Sequence, residues 1–158
     1  MKFIIHGGTL SRSLQSISSV VPSGRTMPIL LNFLMEVENE ELKITASDLE
    51  TTITVKLNPS MLEQDQVNKI AIPAKMFLEV VNSLSSQQIT VEVKENYSVE
   101  ITAGTGRYKL VGEDPASYPT AIELSDPALT TISSSVLVKA IGKTLFATGT
   151  GEMRPQMT

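Results

Sequence analysis

Asp48 and Glu50, two residues apart, are the first place in this 158-residue chain where side-chain types suggest a reaction. A carboxylate pair can divide general-acid and general-base work between its members, or hold a cation. His6, the single histidine, ends a short apolar run before Gly7-Gly8. A hydrolase or small-ligand domain using Asp48, Glu50 or His6 is therefore one candidate. No third carboxylate or histidine accompanies the acid pair, and no nucleophile stands beside a base, so the candidate lacks a catalytic constellation. The chain has no cysteine, which excludes disulfides and thiolate metal sites. We expect no metal and no cofactor. Gly104-Thr105-Gly106 is a turn and not a phosphate cradle, because no helix follows it.

A second kind of chemistry is attraction to a polyanion. Three helical windows, 9–21, 73–84 and 134–148, hold Arg12, Lys75, Lys139 and Lys143 against Glu79 alone, a local charge of +3 in a chain of net −4. The remainder holds nine cations and sixteen acids. Residues 1–35 carry Lys2, Arg12 and Arg25 and no acid. Lys139 and Lys143 are four apart and share one helix face. Solvated helix surfaces account for each cation singly. Helices that jointly face one polyanion account for all of them and for the missing acids. Duplex DNA carries one charge per about 1.7 Å of axis, so modest positive charge repeated over several helices attracts it without reading sequence. Serines on the same helices can contact phosphate without locking the protein in place.

The elements that must position these residues follow from periodicity. Lys2 to His6 reads as a short strand, and Thr9 as the cap of a helix whose stripe is Leu10, Leu14, Ile17 and Val21. Ser11, Arg12, Ser13, Gln15 and Ser16 fall on its other face. Pro22-Ser23-Gly24 ends it, and Arg25 closes that turn. Three antiparallel strands follow between Pro28 and Leu57, with period-two patterning in Leu42/Ile44/Ala46 and Ile53/Val55/Leu57. Asn58 to Gln66 reads as a polar connector. Val67 to Ile72 is a strand, and the helix after Pro73 carries Phe77, Val80, Val81 and Leu84. Ile89/Val91/Val93, Val99/Ile101/Ala103 and Tyr108/Leu110 make three more strands. Strand, helix, three strands thus occurs twice, the α+β plan of a duplicated unit. Leu129 to Ile132 begins a third copy, with a helix over 134–148 that is marginal in water on its own.

No apolar run reaches the roughly 20 residues that span a bilayer, and no signal peptide precedes the first strand. We expect a soluble, cytoplasmic protein. Its domains are 1–124, and 125–158 as a linker with the truncated start of a second.

Several segments together carry a resemblance: Met1-Lys2-Phe3, Thr26-Met27-Pro28-Ile29-Leu30, Leu42 to Glu50, Ile72-Pro73-Ala74-Lys75 with Phe77, Tyr118-Pro119, and Arg154 to Thr158. In order and spacing the chain resembles the N-terminal part of the bacterial DNA polymerase III beta subunit, the sliding clamp. The resemblance covers the whole chain. It implies a DNA clamp fold with antiparallel sheets outside and helices inside. It also implies a homodimeric ring around duplex DNA, and a non-catalytic processivity factor that tethers the replicative polymerase and meets a clamp loader. Arg12, Arg25, Lys75, Lys139 and Lys143 are then the expected DNA-facing residues, and Arg154 and Met157 the expected partner-binding ones. The family often places its arginine four residues before the proline of this motif. Here Arg25 stands three before Pro28.

Overall fold

The computed structural model describes residues 1–24, 27–38, 41–63, 67–119 and 128–148. The chain divides into two compact units, Met1–Ala121 and Ile122–Thr158.

The first unit contains β1 (Lys2–His6), α1 (Gly7–Ser18), β2 (Asn32–Glu38), β3 (Glu41–Ser47) and β4 (Thr52–Leu57). It continues with β5 (Met61–Glu63), β6 (Lys69–Pro73), α2 (Ala74–Ser83), β7 (Gln88–Val93), β8 (Ser98–Ala103) and β9 (Gly106–Val111). Two sheets form, in the orders β5-β1-β7-β8-β9 and β4-β3-β2-β6. All their pairings are antiparallel. The duplication is visible, with one departure from the simplest version of it. Each sheet is the meander of one repeat completed by the first strand of the other. Phe3 of β1 pairs with Val91 of β7, and Ile72 of β6 pairs with Phe33 of β2.

The period-two alternation has its expected result. Leu42, Ile44 and Ala46 of β3, and Val91, Val93, Val99 and Ile101 of β7 and β8, are buried, with polar residues between them. α1 adds Leu10, Leu14 and Ile17, and α2 adds Phe77 and Val81. These side chains form one core with Phe3 and Phe33. Burial of each large apolar side chain contributes about 1.5–3 kcal/mol.

A smaller cluster lies on the other face of β2. Leu34 points away from Phe33 and Met35, and it packs with Ile29, Leu30, Ala71 and Tyr118. Tyr118 is buried, with its hydroxyl 3.4 Å from the Thr45 carbonyl, long for a donated bond. Burial disfavours the tyrosinate and pushes the Tyr118 pKa up to about 12. The unfolded chain titrates near 10, so the stabilisation is complete below pH ~10 and is lost as pH rises toward ~12, by up to about 2 kcal/mol. Denaturant midpoints measured across that range should fall more steeply in the wild type than in Tyr118→Phe. Equal slopes would show that the buried hydroxyl is not responsible.

Five placements in the first unit differ from the sequence expectation, each for a local reason. α1 starts at Gly7 rather than beyond Thr9, because the His6 side chain caps it by accepting from the Gly8 N–H. Pro28–Leu31 is a 3-10 turn, not strand, and Asn32 Nδ2 ties it off on the Ile29 carbonyl. Met61–Glu63 is not a connector but a short edge strand on β1. Asp48 and Glu50 lie in the β3–β4 turn, not on a strand face. Ser11, placed by period on the polar face of α1, is buried against α2.

In the second unit the described residues hold α3 (Ser134–Thr144) and a 3-10 turn, Leu145–Ala147. Residues 128–133 form no strand, contrary to the expectation for Leu129 to Ile132. A strand needs a pairing edge, and the described part of this unit offers none. Val136, Leu137, Ile141 and Leu145 are exposed.

Candidate nucleic-acid interface

The cations on the helices are set apart from those on the sheets by what they touch. On the sheets, Lys43 pairs with Glu38, Lys56 with Glu41 at 3.3 Å and Lys69 with Glu36 at 3.4 Å. Glu100 meets both Arg107 at 3.0 Å and Lys94 at 3.6 Å. The hydrogen bond and charge of Lys43 hold the Glu38 carboxyl below its usual range. Solvent screens exposed pairs of this kind, so they add little to stability. Their larger effect is on the field, because most sheet cations are neutralised in place, Lys2 and Lys109 excepted.

Arg12, Lys75, Lys139 and Lys143 are exposed, and among the described residues none forms an ion pair. Arg12 makes one bond, from Nε to the Gly8 carbonyl at 3.2 Å, which lays its side chain along α1. α1 and α2 run antiparallel. Gly7 at the start of α1 donates to Gln87 just beyond α2, 2.8 Å away. Ser11 donates to Asn82 Oδ1 at 2.5 Å, and Gln15 Nε2 to the same oxygen at 3.1 Å. With Ser11 beside Asn82, Lys75 lies about six residues, or roughly 9 Å, further along the pair from Arg12. A duplex presents about five charges in that length. Two cations against about five charges make an attractive but loose surface. Glu79, exposed on α2, weakens it further.

Not every expected site residue can be placed. Arg25, Arg154 and Met157 lie outside the described residues. Lys139 and Lys143 lie on α3 of the second unit, exposed on one face. The acid–base candidates do not come together. Asp48 Oδ1 accepts from the backbone N–H of Glu50 at 3.0 Å and of Thr51 at 2.6 Å, so it builds a turn. His6 Nδ1 is used in the helix cap at 3.2 Å. No group of three or more His, Asp or Glu suited to a metal occurs among the described residues. Sequence periodicity missed the Ser11–Gln15–Asn82 contact. A serine and an asparagine 71 residues apart give no local signal of it.

Two antiparallel sheets completed by exchanged first strands, backed by a helix pair with unpaired cations, define a clamp-type domain. The model of the DNA polymerase III beta subunit N-terminal domain matches residues 1–123, and the chain belongs to that family. The beta sliding clamp of Halalkalibacterium halodurans is 29% identical over 163 residues, covering 100% of this chain and 43% of that protein. That of Staphylococcus epidermidis is 26% identical with the same coverage. The chain therefore spans less than half the length of these relatives. Among solved structures, the sliding clamp of Bacillus subtilis superposes with a TM-score of 0.86 at 27% identity, covering 98% of this chain and 42% of that one. The Pseudomonas aeruginosa clamp bound to griselimycin gives 0.87 at 28%, covering 98% and 41%.

Proposed function

We propose that this chain is the N-terminal part of a sliding clamp, the processivity factor of a replicative DNA polymerase. It consists of a first clamp domain, 1–124, and a linker with the start of a second, 125–158. The intact protein is a homodimeric ring that encircles duplex DNA in the cytoplasm, is placed there by a clamp loader and tethers the polymerase. It catalyses nothing itself and needs no cofactor. Arg12, Arg25, Lys75, Lys139 and Lys143 face the duplex, and Arg154 and Met157 contribute to partner binding.

The observation that carries this is the separation of charge. Sheet cations are mostly paired with carboxylates, while the helix cations Arg12 and Lys75 are free to meet phosphate. So sparse a surface suits sliding, since directional phosphate bonds would pin the ring at one register. The exposed helix side chains also lack the density needed for bidentate base readout. β9 is an edge strand with Tyr108 and Val111 exposed, and such an edge accepts a strand from another chain, as ring closure requires.

The test is topological. The full-length protein is loaded onto nicked circular DNA, which is then cut once. Retention on circles with loss after cutting is expected. Retention on DNA with free ends, or a strong preference for one sequence, would replace the sliding ring by a site-binding module.

A further inference from the structure

We propose that Glu79 sets how freely the helix surface moves along DNA: held between Arg12 and Lys75, it repels the phosphates that those two cations attract. This rests on the clamp reading above and adds to it the residue that limits adhesion.

Glu79 is exposed and is the one acid on α1, α2 and α3. The helix pair decides where it stands. The Ser11–Asn82 bond puts those two residues at one level of the antiparallel pair. From that level toward the start of α2, Arg12 is one residue away, Glu79 three and Lys75 seven. At the helical rise Glu79 therefore lies roughly 3 Å from Arg12 and roughly 6 Å from Lys75 along the axis. Lys75, Glu79 and Asn82 are four and three residues apart, so they share one stripe of α2. Asn82 reaches Ser11 and Gln15 from that stripe, so the stripe borders α1. A phosphate that meets either cation is then within about one Debye length of the Glu79 carboxylate at physiological salt.

Folding does not account for the acid. Glu79 stands in the middle of α2, beyond the first turn where the helix dipole favours a carboxylate. Lys75 precedes it by four residues, the weaker orientation for a helical ion pair. Glu79 forms no ion pair with it or with any other described residue. On the sheets, by contrast, Glu36, Glu38, Glu41 and Glu100 each hold a cation. An unpaired acid on an otherwise acid-free pair of helices acts through its field. Arg12 and Lys75 against Glu79 leave α1 and α2 at a net charge of +1, half of what the two cations alone would present. A ring that must slide gains from that reduction, because each phosphate bond has to be broken at every step.

The experiment uses the full-length protein. Glu79→Gln keeps the size and helix preference of the side chain and removes its charge. It should bind linear duplex about fivefold more tightly at low salt, the effect of one unit charge near contact distance in water. The gain should shrink as salt rises. The dye-labelled variant, loaded on stretched duplex, should diffuse more slowly than the wild type. Glu79→Lys should go further and steepen the salt slope by about 0.9 for each added phosphate contact. Glu50→Gln makes the same charge change at an exposed, unpaired acid in the β3–β4 turn and should leave affinity and diffusion as in the wild type. Unchanged affinity and diffusion in Glu79→Gln overturn the proposal. So does an equal gain in Glu50→Gln, which would make net charge the cause, or a lowered thermal midpoint with unchanged affinity, which would make Glu79 a helix-stabilising residue. Retention of the wild type on circles after cutting is a separate readout and would overturn the sliding ring itself.

Discussion

Replacing Gly7 by alanine should destabilise the first unit by about 3 kcal/mol or more, at or beyond the upper end of ordinary overpacking costs. Helix propensity predicts the opposite sign, since alanine inside a helix is favoured over glycine by about 0.5–1 kcal/mol. Packing decides. A Cβ at Gly7 would sit 2.2 Å from the Leu84 carbonyl oxygen, 2.9 Å from its carbon and 3.2 Å from the Gln87 oxygen. These are backbone atoms, so no rotamer change relieves the clash. They are also anchored, because Gly7 N–H binds Gln87 O at 2.8 Å and Gln87 N–H binds Leu84 O at 3.1 Å. α1 would have to withdraw from the end of α2, stretching the Ser11–Asn82 bond and opening the core around Leu10. Domain stabilities are about 5–15 kcal/mol, so the loss is a large share of the total. Urea denaturation of the chain and of its Gly7→Ala variant measures it directly. Equal midpoints would mean that the helices do not approach as closely as described.

Reversing four helix cations at once should have the largest effect on DNA. In the full-length protein, Arg12, Lys75, Lys139 and Lys143 changed to glutamate should abolish detectable binding to linear duplex and strongly reduce loading. Each phosphate contact adds about 0.9 to the salt slope of log affinity, so the wild-type slope bounds how many of the four touch DNA. The fold should survive, because all four are exposed and without ion pairs, and the bond of Arg12 to Gly8 is a surface one. The control makes half as many reversals on the sheet: Lys43 on β3 and Lys56 on β4 to glutamate. If the sheet variant weakens DNA binding per charge as much as the helix variant, net charge and not its placement governs binding.

Much of this fold can be read from single positions. The alternation in Leu42/Ile44/Ala46 and Ile89/Val91/Val93 reports one buried face directly, because the strand period is two. The stripe Leu10, Leu14, Ile17 reports the helix in the same way. The exchange of β1 and β6 is not legible, since periodicity records which face a strand buries and never which neighbour it pairs with. His6 looks like a reactive group in sequence and is a helix cap in the fold, a role set by the N–H of Gly8. Asp48 looks like half of a catalytic pair, and its carboxylate is occupied by a turn. The candidate interface is half legible. The scarcity of acids in the helices is visible in the chain, but the pairing of the sheet cations needs cross-strand register, such as Glu36 opposite both Lys43 and Lys69.

The exchanged first strands also speak to where such a unit could have come from. One repeat alone, strand, helix and meander, leaves its first strand with no sheet to join. Two separate copies would satisfy each other by trading that strand, which is a domain-swapped dimer. Joining the copies through the segment between β4 and β6 converts that dimer into one chain without changing a pairing. A chain cut in that segment should therefore yield halves that are individually unfolded and fold only when mixed. By the same connection, folding waits on contacts far apart in sequence, such as Phe3 with Val91, and should be slow for a protein of this size.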